Sequence, residues 1–230
     1  MILAAGCAKE QVVHPPVPIG VVTELGRTYS QQTKAVPGAL TDDAVLVGPV
    51  MRVSSRLIAA ARQSAYAARA QDMCWRIAVY DDPRMRAFIR SDGLIVVDVG
   101  TFRLAETEGG LAAMLGHELA HALAGDAAPL PRSCVGTSDQ PPSLSTYEDE
   151  LGADSGGLDL MADAGYDPRE LLGLWHRMRL EQRERVDKVV EHVTFDRRME
   201  QIRQRLPEAI MRYERTNRAP QKPLPSLVLR

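Results

Sequence analysis

The chain has 230 residues, 45% of them hydrophobic and 25% charged, the balance of a folded domain with a sizeable core. A formal net charge of −2 at pH 7 gives no drive toward nucleic acid or an anionic membrane surface. No apolar run approaches the ~20 residues that a membrane-spanning helix needs.

The chain opens "MILAAGC". A short apolar run ending in Ala-Gly-Cys has the form of a bacterial lipobox, in which the cysteine, here Cys7, carries a lipid. None of the residues before Cys7 is Lys or Arg, so the stretch is shorter than a full signal peptide with its basic start and ~7–15 apolar residues. The expectation is a lipid on Cys7 and a place on the periplasmic side of a bacterial cell envelope, as an outer-membrane lipoprotein. That leaves Cys74 and Cys134 as an even pair, which an oxidising compartment permits to form a disulfide. The other reading is two small buried thiols. Residues 8–40, with "HPPVPIG", read as an extended linker, so 1–40 form a lipobox-like segment and arm.

"TDD" at Thr41–Asp43 signals a helix start, and Val50, Val53, Leu57, Ile58 and Ala61 recur at helical spacing. Gly48-Pro49 should break or restart that helix. "WRIAVYDD" reads as a strand and turn. "MRAFIR" and "GLIVVDVG" read as a hairpin around Ser91-Asp92-Gly93. A helix should run from Thr107–Gly110 to about Ala124, with Gly125 as its cap. A Pro/Ser/Gly loop follows. The next helix begins near Ser145–Thr146 and ends at "AGYDP". Another starts at Asp167-Pro168, and helical patterning continues in pieces to about Arg215. The arginine-rich "RLEQRERVDK" has glutamate interleaved and reads as a solvated helix face. The expected organisation is an arm over 1–40, one domain over 41–206, and a helix end with a Pro-rich tail over 207–230.

Within "LGHELAHALAGD", His117 and His121 stand four residues apart, on one face of a helix. Both can reach a single metal ion. Glu118 is turned ~100° around the axis. It is badly placed as a ligand beside them, yet able to reach a water at that metal. HExxH is a specific pattern. Catalytic zinc takes three protein ligands and keeps one position open, so a third ligand is required. No histidine follows closely. Glu148, Asp149, Glu150 and Asp154 compete for the role on the next helix. Glu150 and Asp154 share a face, so that one can bind metal while the other holds the ring N–H of a ligand histidine. Glu148 and Asp149 point elsewhere and read as solvated.

"HELAH" followed by "ELGADSGGLDLMADAGYDP" resembles the M48 family of zinc metallopeptidases, which carries HExxH and then a Glu-x-x-Ala-Asp helix ending in Ala-Gly-Tyr-Asp-Pro. "WRIAVYDDPRMRAFIRSDGLIVVDVGTF" is similar to the family's strand pair before the active-site helix, with Arg86 where the family commonly has Asn. The resemblance implies Glu150 as third zinc ligand and Asp154 as the partner of a ligand histidine. "EHVTFDRRMEQI" resembles the family's Thr-His-Pro segment, with an Arg six residues after the His. Glu191 and Val193 depart from the usual Thr and Pro. By that likeness His192 and Arg198 lie near the cleft, where they stabilise an oxyanion or occlude the metal. The connection from His121 to Glu150 is shorter than in many relatives. His14 and His176 have no partners in sequence and read as surface residues.

The sequence therefore predicts an α+β fold: a mostly helical zincin-like domain with a small sheet beside the active-site helix. It predicts one Zn2+ per chain on His117, His121 and Glu150, with Asp154 behind them and Glu118, His192 and Arg198 in catalysis. The expected activity is that of an endopeptidase acting on protein or peptide substrates in envelope quality control. The strand near Leu94–Val97 is the expected place for substrate backbone to pair. The competing readings are an envelope chaperone-like or binding protein with an occluded zinc site, and a metal-free helical interaction module.

Overall fold

The computed structural model describes residues 38–40, 43–90, 92–124, 146–183 and 189–226. For 182–183 and 189–194 only the backbone is described. Cys7, His14, Thr41, Gly125 and Cys134 lie outside the described residues, and Cys74 is disulfide-bonded.

Helix α1 spans Val47–Ala61. The Asp43 carboxylate accepts the backbone N–H groups of Val45 and Leu46 just before it. Pro49 falls in the first turn, where its missing N–H goes unneeded. The Gly-Pro pair thus marks the start of the helix. Val50, Val53, Leu57, Ile58 and Ala61 are buried, as their spacing predicts. A short helix, α2 (Ala67–Asp72), follows without any signal in the hydrophobic pattern.

The three strands are β1 (Arg76–Tyr80), β2 (Ala87–Ile89) and β3 (Leu94–Asp98). Strand β3 is central. It runs parallel to β1, with Ile77 opposite Ile95, and antiparallel to β2, with Phe88 opposite Val96. Gly93 closes the β2–β3 turn at φ +90°, and a Cβ there would lie 2.8 Å from the Cys74 carbonyl oxygen, so the turn requires glycine. The buried Asp92 carboxylate in this turn pairs with Arg76 and Arg90. This topology corrects one expectation. The Leu94–Val97 strand cannot receive a substrate backbone, because β1 and β2 already occupy both of its edges. Among the described residues, the strand with only one paired edge beside the histidine helix is β2.

A 3-10 turn over Val99–Thr101 and the short helix α3 (Phe102–Ala105) lead to α4 (Glu108–Ala124). Buried Glu108 in the first turn of α4 pairs with Arg52 at 2.6 Å, a negative charge at the end that favours one. Helix α5 (Tyr147–Asp163) begins with a capping box. Thr146 Oγ1 accepts the Asp149 N–H, and Asp149 accepts the Thr146 N–H. Helix α6 spans Arg169–Arg183 and α7 spans Val189–Glu214. The pieces expected after residue 183 form one long helix that passes through Pro207. It continues past residue 206. Ala209 and Tyr213 are core residues, so the stretch after 206 packs with the domain. The chain beyond α7 docks as well. Leu224 N donates to Glu106 O, and Glu108 N to Lys222 O, both at 2.8 Å.

Helix α4 lies at the centre, packed against α1, α5 and α6. The core is largely aliphatic, built on Leu57, Ile77, Ile95, Leu111, Leu115, Leu119, Leu158 and Met161 together with Trp75. No helix among the described residues is long and apolar enough to cross a membrane.

Candidate metal centre

Helices α4 and α5 approach closely because glycine faces glycine. A Cβ on Gly116 would lie 3.1 Å from Gly157 O, and one on Gly157 would lie 2.7 Å from His117 N. A Cβ on Gly156 would meet Tyr66 Oη at 2.6 Å. Gly116 and Gly157, each costing about 1 kcal/mol against alanine in an exposed helix, thus bring two backbones together, while Gly156 makes room for the Tyr66 side chain. The approach sets the carboxylates of α5 against the imidazoles of α4.

His117 Nε2 and His121 Nε2 lie 3.2 Å apart. Glu150 closes the triangle, with Oε2 3.4 Å from His117 Nε2 and Oε1 3.2 Å from His121 Nε2. One ligand atom from each residue lies within 4.8 Å of the others. Two imidazole nitrogens and a carboxylate oxygen form a sulfur-free donor set that suits zinc, so the residues present fit a metal ion. The far nitrogen of His117, Nδ1, faces Asp154 Oδ1 at 3.0 Å, and Asp154 is fully buried. A carboxylate in that place suits the ring N–H and leaves Nε2 toward the other donors, while in the geometry seen Nδ1 makes no hydrogen bond among the described residues. Glu148 and Asp149 are exposed, Asp149 serving as the N3 partner in the capping box of α5.

Arg198 reaches across from α7. Its Nε and Nη2 bond both Asp154 oxygens at 2.7 and 2.9 Å, while Nη1 lies 2.7 Å from Glu150 Oε2. Its guanidinium covers the Trp175 ring at 4.2 Å from the centroid. His192 lies within α7, with only its backbone described. His176 is exposed.

Charge is tightly coupled here. Burial by itself would lower the basicity of His117, but Asp154 and Glu150 outweigh it and raise the imidazole to about 9. Burial pushes against the charged form of Glu150, yet the two histidines and Arg198 hold its carboxyl well below the usual range. Asp154 is likewise lowered by Arg198 and His117 against the opposing effect of burial. Glu118 is shifted the other way. Burial raises it, and the positive charges of His117, His121 and Arg198 only partly offset that rise.

Two features escape a sequence reading. Gly116, Gly156 and Gly157 leave a faint signal, glycine inside otherwise helical patterns, which marks close backbone approach. Trp175 leaves less: it is one of two tryptophans in the chain, on a largely polar helix.

The sequence model of peptidase family M48 matches residues 50–130, from α1 through the histidine helix. The mitochondrial metalloendopeptidase OMA1 of Schizosaccharomyces pombe is 30% identical over 190 residues, covering 72% of this chain and 54% of that protein. The chain thus spans about half the length of the curated relative it matches. With the family's pattern running into the helix that carries both histidines, and 72% of this chain aligned to a curated metalloendopeptidase, this chain belongs to peptidase family M48.

Proposed function

We propose that the chain is a zinc-dependent endopeptidase, with one zinc held by His117, His121 and Glu150. The observation that carries the reading is the convergence of these three donors, with Glu118 one position along the same helix. The family and the name of the relative, a metalloendopeptidase, support it.

Bound zinc would supply Lewis acidity, polarising a peptide carbonyl and lowering the pKa of water. Glu118 takes the proton from the attacking water and passes it to the leaving nitrogen. Asp154 faces His117 Nδ1. Arg198, first expected among the catalytic groups, has all three guanidinium nitrogens turned to Asp154 and Glu150. Its reading here is a positioning residue that orients both carboxylates. His192 remains the candidate oxyanion donor, supported by its place in the motif that ends at Arg198. An extended substrate adds along β2, the edge strand beside α4, mainly through backbone hydrogen bonds. That mode reads shape more than side-chain identity. The "MILAAGC" stretch supports a lipid on Cys7 and a role in envelope quality control.

The test is cleavage of an unfolded protein such as casein, wild type against Glu118→Gln, with zinc measured in both. Glu118→Gln should keep zinc and fold while losing activity by roughly 10²–10⁴-fold. Cleavage near the wild-type rate would remove Glu118 as the base. Zinc without cleavage by the wild type would favour a binding protein.

A further inference from the structure

We propose that Trp175 is a positioning residue for the metal centre, acting through Arg198 and His117. Trp175 is buried, at 8% exposure, on α6, a helix that supplies none of the donor atoms. Its ring nevertheless meets the centre from two sides. The Arg198 guanidinium lies over it at 4.2 Å, and the His117 ring stands edge-on to it at 5.5 Å and 87°. Phe195 of α7 packs against the same indole at 6.0 Å and 88°, backing it from a third direction.

The geometry divides the work on Arg198. All three of its nitrogens are turned to Asp154 and Glu150, and the indole ring lies against the guanidinium. An aromatic face under a guanidinium attracts it and sets its tilt. The tilt decides whether one arginine can hold Asp154 with two bonds and Glu150 with a third. His117 is constrained in the same way. Asp154 faces Nδ1, and the indole, perpendicular to the imidazole, limits rotation of that ring. Removing the aromatic face would free Arg198 and His117 together and loosen the donor triangle without touching a donor.

This inference rests on the zinc reading, so the experiment includes a variant that separates the two. Zinc affinity is measured by chelator competition on the full chain for wild type, Trp175→Leu, Trp175→Phe and His121→Ala, with thermal melts of each metal-free protein. Phe and Leu both give up the larger indole volume, and only Phe keeps a ring. Trp175→Leu should bind zinc ~10–100-fold more weakly, the range for groups that orient a ligand. Trp175→Phe should stay within about fivefold of wild type, since most of the cation–ring attraction survives. Should Trp175→Leu fail to fold in the melts, Trp175→Met, long and ringless, takes its place with the same expectation. Equal affinities for the ringless and Phe variants would overturn the proposal, whether both are weakened or both match wild type. If His121→Ala itself binds zinc as tightly as wild type, the zinc reading fails first; if it loses zinc while the ringless variant does not, only the role of Trp175 falls.

Discussion

His117 has two ring nitrogens with different tasks. Nε2 faces Glu150 and His121, and Nδ1 faces the buried Asp154. Asp154 is in turn held by two bonds from Arg198. Asp154→Asn keeps the shape but loses the charge that matches both His117 and Arg198. It should weaken zinc binding by ~10–100-fold without abolishing it. Chelator competition checks this, and unchanged affinity would leave Asp154 a plain interior partner for Arg198. Much of this arrangement is legible in the chain, because local spacing governs it. His117 and His121 are one helical turn apart, as are Glu150 and Asp154, and each pair must share a face. The contacts of Arg198 and Trp175 are not legible. They join residues 20 or more positions apart, on different helices, through the packing of α6 and α7, and no local period encodes such a crossing.

At the scale of elements, the centre depends on how closely α4 and α5 lie. Gly157 has no room for a methyl group, since a Cβ would sit 2.7 Å from the backbone nitrogen of His117 itself. The three nearest obstructing atoms, from His117 and Gly116, all belong to backbone, so the helices must separate. Gly157→Ala should therefore destabilise the fold by about 1–3 kcal/mol, the usual cost of overpacking. It should also weaken zinc binding, because the displacement carries Glu150 and Asp154 away from the histidines. Denaturant unfolding and zinc titration measure the two effects. A variant as stable as wild type with unaltered affinity would show that the approach is adjustable. Helix α1 is readable because its start signal and apolar period agree, and α5 because its capping residue is explicit in the chain. The short α2 has no apolar period, and the long α7 contains a proline that conceals its continuity.

At the scale of the molecule, a small sheet stands beside a central helix, and long helices close around it. The sheet order shows where sequence reading stops. The Asp-Gly turn announces the β2–β3 hairpin, but nothing local says that β1 joins β3 in parallel. That pairing makes β3 interior and leaves β2 at the edge. The tail was equally hidden. A Pro-rich stretch reads as a free end, yet its backbone bonds to Glu106 and Glu108, at the start of the helix that carries the histidines. The whole arrangement converges on one claim, that three side chains from two helices form a single zinc site. The most direct measurement is zinc stoichiometry by elemental analysis of purified wild type and His121→Ala after equilibration with limiting chelator. One zinc per wild-type chain, and its loss in His121→Ala with the fold retained, is the result expected. Equal zinc in both proteins, or none in either, would contradict it.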